Sequence, residues 1–91
     1  MMNFGQALEE LKQGAAVHRA GWNADGMFVI MVPGTDAVEP REGSHYAATH
    51  VSPSGVVNIK PHLDFKNAQG DMQPGWLPSQ ADLFAEDWLV L

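Results

Sequence analysis

The sequence predicts an α+β domain with an N-terminal helix packed on an antiparallel β-sheet and a short second helix near the C-terminus. Three observations carry this. Phe4, Ala7, Leu8 and Leu11 recur at i, i+3, i+4 and i+7, the apolar face of a helix. Residues 27–32 form an apolar run bounded by Gly26 and Pro33-Gly34, too short for a lone helix and suited to a buried central strand. Asn67-Ala-Gln-Gly70 stands between two extended stretches as a hairpin turn, with glycine at the left-handed position.

Element by element, Asn3 is a good N-cap, and Gln6 at the third helical position completes a capping box. Glu9, Glu10, Lys12 and Gln13 face water, and Gly14 is the expected stop. Residues 16–19 read as a short strand and 20–26 as a loop. Residues 33–55 are punctuated by Pro and Gly and read as a long loop, with a short strand at 45–51 inside it. Residues 56–66 read as one strand, with Pro61 marking an edge or a bulge. Residues 71–76 return from the hairpin. Ser79 then caps a short helix with Asp82 at its third position, and Leu83 and Phe84 are expected to turn inward. Residues 88–91 form a final strand. No repeat, low-complexity tract or linker divides the chain, so residues 1–91 are expected to be one domain.

Composition narrows the function. A chain of 91 residues buries only about 60–65% of its unfolded surface, so self-association is a natural remedy for a thin core. The absence of cysteine excludes a disulfide framework and thiol chemistry. Five Lys and Arg stand against eleven Asp and Glu, for a net charge of −6. Lys12, Arg19, Arg41, Lys60 and Lys66 are scattered rather than gathered into the basic stripe that nucleic acid requires. A small anionic ligand is still compatible, because a few local donors hold one phosphate whatever the global charge. No signal peptide and no membrane-length apolar run is present, so a cytoplasmic protein without membrane contact is expected.

Two clusters carry the recognition chemistry. Gly21-Trp22-Asn23 lies in the first loop, and Trp76-Leu-Pro-Ser-Gln-Ala-Asp82 leads into the second helix, followed by Asp87-Trp88. Trp22 is either a hydrophobic plug or a stacking platform, although its loop position suggests little core packing. Trp76 carries the same two readings, and Trp88 is assigned to core or subunit packing. Asn23 and Gln80 offer amide donors and acceptors suited to a base edge or ribose hydroxyls, or serve their own turns and surface. Asp82 is a capping carboxylate or a hydroxyl acceptor, and Asp87 reads as a solvated turn residue. Phe4 belongs to the helix core face, or lines a pocket at an interface. His62 and Asp64 share one strand face, suited to a structural hydrogen bond more than to acid–base chemistry. No Gly-x-Ser-x-Gly elbow, phosphate loop or metal-ligand spacing is present, and no cofactor is expected.

These residues resemble a phage family. Asn3-Phe-Gly-Gln-Ala-Leu-Glu-Glu-Leu-Lys-Gln-Gly14, Arg19-x-Gly-Trp-Asn23, Gly26-Met-Phe, Pro61-His-Leu-Asp64 and Trp76-Leu-Pro-Ser-Gln-x-Asp82…Ala-Glu-Asp-Trp88 come in the order seen in the second type of Thoeris anti-defence protein. The resemblance covers all but residues 33–55. It implies a helix on an antiparallel sheet, a homotetramer built as a dimer of dimers, and no catalysis. It further implies a sponge that traps a cyclic ADP-ribose isomer made by the bacterial Thoeris sensor, some members also holding cyclic dinucleotides at a separate site. On that reading Trp22 and Trp76 stack on the adenine, Asn23, Gln80 and Asp82 read ribose and base edges, and Arg19 partners a phosphate. Two rivals remain: an interaction module docking a host protein through its Trp loops, and a hydrolase of the signal using His62 and Asp64.

Overall fold

In the computed structural model, which describes residues 1–49 and 53–91, the chain runs α1 (Phe4–Lys12), β1 (Val17–Arg19), β2 (Phe28–Val32), β3 (Thr35–Val38), α2 (His45–Ala48), β4 (Val57–Ile59), β5 (His62–Lys66), β6 (Met72–Pro74), α3 (Gln80–Phe84) and β7 (Trp88–Val90). Five strands make an antiparallel sheet in the order β6-β5-β2-β1-β7, and β3 and β4 pair in a small separate sheet. The class is α+β, as the sequence predicts.

Local chemistry explains the ends of α1. The Asn3 side chain accepts the Gln6 backbone N–H at 2.9 Å, and the Gln6 side chain accepts the Asn3 N–H at 3.0 Å. Two of the helix's orphan donors are thereby satisfied. Gly14 ends the helix at φ +96°, a conformation open to glycine at little cost.

Register sets the two faces of the sheet. Directly paired residues share a face, so Val29 with Phe65 and Met31 with Leu63 point one way, together with Val17. On that side Ala7 and Leu11 of α1 meet Val17, Val29 and Trp88, and all five are buried. Trp88 is fully enclosed, which confirms its packing assignment. Phe4 leans on it with ring centroids 5.4 Å apart. The opposite face carries Phe28, Ile30, Val32 and, on β7, Leu89, paired in register with Lys66, Asp64, His62 and His18. No described helix packs there, so the predicted central strand β2 is buried on one side only.

Four expectations are corrected. Residues 33–55 are not a bare loop: they hold β3 and α2. The strand expected at 45–51 is replaced over His45–Ala48 by a helical turn, because Ser44 caps it by accepting the Ala47 N–H; residues 50 and 51 of that expectation lie outside the described residues. The single strand expected at 56–66 is split into β4 and β5, which join different sheets. Pro61 cannot donate to a ladder, and the chain crosses Gly34 there so closely that a Cβ on Gly34 would lie 2.5 Å from the Ile59 carbonyl oxygen and 2.8 Å from Pro61. Finally, Leu83 and Phe84 do not turn inward; Phe84 is 82% exposed. Asp82 takes the inward position of α3, and at about 100° per residue the next two side chains swing away from it.

Candidate functional site

The site forms where the first loop meets the segment from β6 to β7. Pairing of β1 with β7 sets Arg19 directly opposite Trp88 and so brings residues about 65 positions apart in sequence into contact. Ser79 caps α3: its hydroxyl accepts the Asp82 N–H at 3.1 Å, and Asp82 Oδ2 accepts the Ser79 N–H at 3.2 Å. This capping box, predicted from the sequence, aims the Asp82 carboxylate at the loop.

An ion network follows. Arg19 Nη1 donates to Asp82 Oδ1 at 2.9 Å, and Arg19 Nε donates to Asp87 Oδ1 at 2.8 Å. Asp87 Oδ2 accepts the Gly21 N–H at 2.8 Å. Gly21 is required by that approach, since a Cβ there would lie 2.8 Å from the same oxygen. Asp87 is therefore half-buried and doubly bonded, not a solvated turn residue. Burial raises the Asp82 pKa, but hydrogen bonds from Arg19, Ser79 and Trp22 outweigh it and hold the carboxyl below its ordinary range. The hydrogen bond from Arg19, aided by the Gly21 N–H, holds Asp87 below its range as well. Asp87 first, then Asp82, raise the Arg19 pKa. The three side chains are thus all ionised at neutral pH and carry a local charge of −1.

Around this network the aromatic rings converge. Trp22 meets Trp88 at 5.4 Å and 79°, Phe65 at 5.6 Å and 88°, and Trp76 at 6.4 Å and 75°. Phe65 and Trp76 lie nearly parallel at 6.1 Å. Contrary to its expected independence of the core, Trp22 packs edge-on against three rings. Its indole Nε1–H donates to Asp82 Oδ1 at 3.3 Å, and the Trp88 Nε1–H donates to the Asp82 carbonyl at 3.0 Å. Trp22, Met27, Phe65, Trp76 and Asp82 line an open recess of about 150 Å³. A second hollow of about 290 Å³ adjoins it along Arg19, Trp22 and the 24–27 loop.

The structure thus brings together Arg19, Trp22, Trp76 and Asp82 of the residues singled out in sequence. Asn23 and Gln80 are exposed and line neither hollow. Phe4 packs on Trp88 and stays outside the recess. Arg19, expected to meet a phosphate, commits two of its donors to aspartates. Phe65 and Met27 were not singled out: Met27 opens the apolar run before β2 and Phe65 is the apolar residue between Asp64 and Lys66 on β5, and neither setting distinguishes a recess wall from core. His62 and Asp64 lie on the opposite sheet face, with His62 Nε2 3.6 Å from Asp64 Oδ1 and His62 Nδ1 2.9 Å from the Lys60 carbonyl. His62 borders a separate cleft of about 570 Å³ with Tyr46, Asn58 and Lys60. Among the described residues, no group of His, Asp or Glu side chains is arranged to hold a metal ion, and no helix is long and apolar enough to cross a membrane.

Residues 2–91 match the Thoeris anti-defense 2-like domain. The chain is 38% identical to Thoeris anti-defense 2 of Bacillus phage SP01 over 90 residues, which is 99% of this chain and 94% of the relative. The match runs through residues 33–55, which the motif resemblance leaves out. The chain belongs to the Thoeris anti-defense 2-like family.

Proposed function

We propose that this protein counters bacterial anti-phage defence in the host cytoplasm by sequestering a cyclic nucleotide immune signal without cleaving it. The ligand class is the cyclic ADP-ribose isomer of a Thoeris sensor, with cyclic dinucleotides as further ligands. Family membership supports the anti-defence role. The observation that supports a flat-ring ligand is the recess walled by Trp22, Trp76 and Phe65 over the Asp82 carboxylate. An adenine stacks on Trp22 or Trp76, each base–aromatic contact supplying roughly 1–3 kcal/mol. Asn23 and Gln80, exposed beside the recess walls in sequence, read the ribose and base edges.

The recess volume bears on assembly. Nucleotide-sized ligands occupy sites of roughly 300–1,000 Å³; the aromatic recess of about 150 Å³ falls short alone and reaches that range only with the adjoining open hollow of about 290 Å³. A second copy completes the site on this reading, in a homotetramer that is a dimer of dimers. The uncovered sheet face with Phe28, Ile30 and Val32 and the exposed side chains of Leu77 and Phe84 supply apolar surface for it. Phe4, close to the chain start, is available at such an interface. Exposed Leu77 and Phe84 also favour the rival reading, a module that docks a host protein.

Native mass spectrometry of the protein mixed with lysate from Thoeris-signalling cells tests the proposal. A retained small molecule that is released intact, with the mass of a cyclic ADP-ribose isomer, is expected. Retention of a host polypeptide and no nucleotide favours the docking module. A hydrolysed nucleotide favours the enzyme reading, with His62 and Asp64 as the pair to vary first.

A further inference from the structure

We infer that the Asp82 side chain is a positioning group that sets the orientation of Trp22, rather than a group that contacts the ligand. It is the hub of the site. Its Oδ1 accepts from both Arg19 Nη1 and the Trp22 indole Nε1–H, its Oδ2 accepts the Ser79 N–H, and its carbonyl accepts the Trp88 indole Nε1–H. A carboxylate oxygen has two lone-pair directions, so Oδ1 is saturated by protein donors and Oδ2 has one direction left. A ribose hydroxyl competing for Oδ1 would have to displace an arginine or an indole.

The rest of the network serves the same end. Asp87 holds the far side of the Arg19 guanidinium and accepts the N–H of Gly21, the residue before Trp22. The loop is thus fixed twice: its backbone by Asp87 and its indole by Asp82. Arg19 joins the two carboxylates and sets the distance between them. Perpendicular contacts with Trp76, Phe65 and Trp88 leave the indole no second comfortable orientation once Nε1–H is tied. Arg19 is accordingly a brace, and the local charge of −1 makes this end of the site suited to a ring rather than to a phosphate. The ligand-binding part of the inference rests on the sponge reading; the clamp on Trp22 stands on geometry alone.

Three variants test it: Trp22→Phe, Asp82→Asn and their combination. The first readout is the indole Nε1–H region of a ¹⁵N–¹H correlation spectrum of ligand-free protein, in which Trp22→Phe identifies the Trp22 signal. Asp82→Asn is expected to shift that signal and speed its exchange with water. Asp87→Asn, which touches neither the recess nor the indole, is expected to do so more weakly, and it serves as the second variant if Asp82→Asn does not fold. The second readout is calorimetric titration with the cyclic ADP-ribose isomer made by a Thoeris sensor. Asp82→Asn and Trp22→Phe should each weaken binding about tenfold, and the double variant by little more than either alone, because both remove one charge-assisted hydrogen bond. A Trp22 indole signal unmoved in both aspartate variants overturns the clamp. Losses that multiply in the double variant overturn action through Trp22 and return Asp82 to direct ligand contact. No binding by the unaltered protein sinks the sponge reading instead, and leaves the clamp to the indole signals.

Discussion

Trp22→Ala is the substitution with the largest consequence worked from the structure, because it strikes fold and site together. Trp22 is half-buried and meets Trp88, Phe65 and Trp76 at 5.4, 5.6 and 6.4 Å, all close to perpendicular. Such aromatic pairs are worth about 0.5–1.5 kcal/mol each beyond their buried area. The change also leaves Asp82 Oδ1 with Arg19 as its one remaining donor. The combined cost is about 3–5 kcal/mol, in line with other aromatic-to-alanine changes in packed surroundings. For a domain of this size one kcal/mol moves the melting temperature by roughly 4–8 °C, so a drop on the order of 15 °C or more is expected. Binding of the cyclic ADP-ribose isomer to the folded fraction should fall roughly five- to 150-fold. A thermal melt and a calorimetric titration on one preparation check both numbers. Trp22→Phe keeps a ring against the neighbours and should recover most of the stability. A Trp22→Ala melt within about 3 °C of the unaltered protein would refute the packing argument, and the sequence expectation of a free platform would stand.

Other outcomes follow from the same geometry. Asp82 and Asp87 have depressed pKa values in the folded state, so their contribution is full above the unfolded carboxylate value of about 3.9 and is lost as pH falls below it. The melting temperature should hold from pH 7 to about 5 and fall below about 4; Asp87→Asn should flatten that fall, and a stability that rises on acidification would contradict the network. Gly21→Ala places a methyl 2.8 Å from Asp87 Oδ2 and should cost about 1–3 kcal/mol in a denaturant titration. Ile30→Glu on the uncovered sheet face should shift the light-scattering mass toward the 9.9 kDa monomer, and an unchanged oligomer would move the interface elsewhere. His62→Ala should leave affinity for the cyclic ADP-ribose isomer within about twofold, since His62 borders a different cleft.

What was legible in the sequence was what local chemistry decides. The Asn3–Gln6 and Ser79–Asp82 capping boxes are spacings of three residues, and both form as read. The periodicity of Phe4, Ala7, Leu8 and Leu11 selects the buried face of α1, and the apolar run before Pro33 selects the middle of the sheet. Trp22 and Trp76 stood out as tryptophans in loops, Asp82 as a capping carboxylate and Arg19 as the cation nearest the motif, and the fold brings the four together. What could not be read was contact between remote residues. Nothing near Asp87 shows that Arg19, 68 positions away, will hold it; that pairing exists because β1 and β7 are neighbours. The outward turn of Leu83 and Phe84 depends on Asp82 being taken inward by Arg19 and Trp22, a tertiary decision over a helix of five residues. The split at Pro61 likewise depends on Gly34 crossing it.

On the proposed reading the protein holds a cyclic nucleotide signal and returns it unchanged. Incubation with the cyclic ADP-ribose isomer of a Thoeris sensor, followed by removal of unbound material, heat denaturation and chromatography of the supernatant, tests it most directly. Near-stoichiometric recovery of the intact cyclic compound is expected at every incubation time. Linear ADP-ribose accumulating with time, or all of the compound in the unbound fraction, would contradict it.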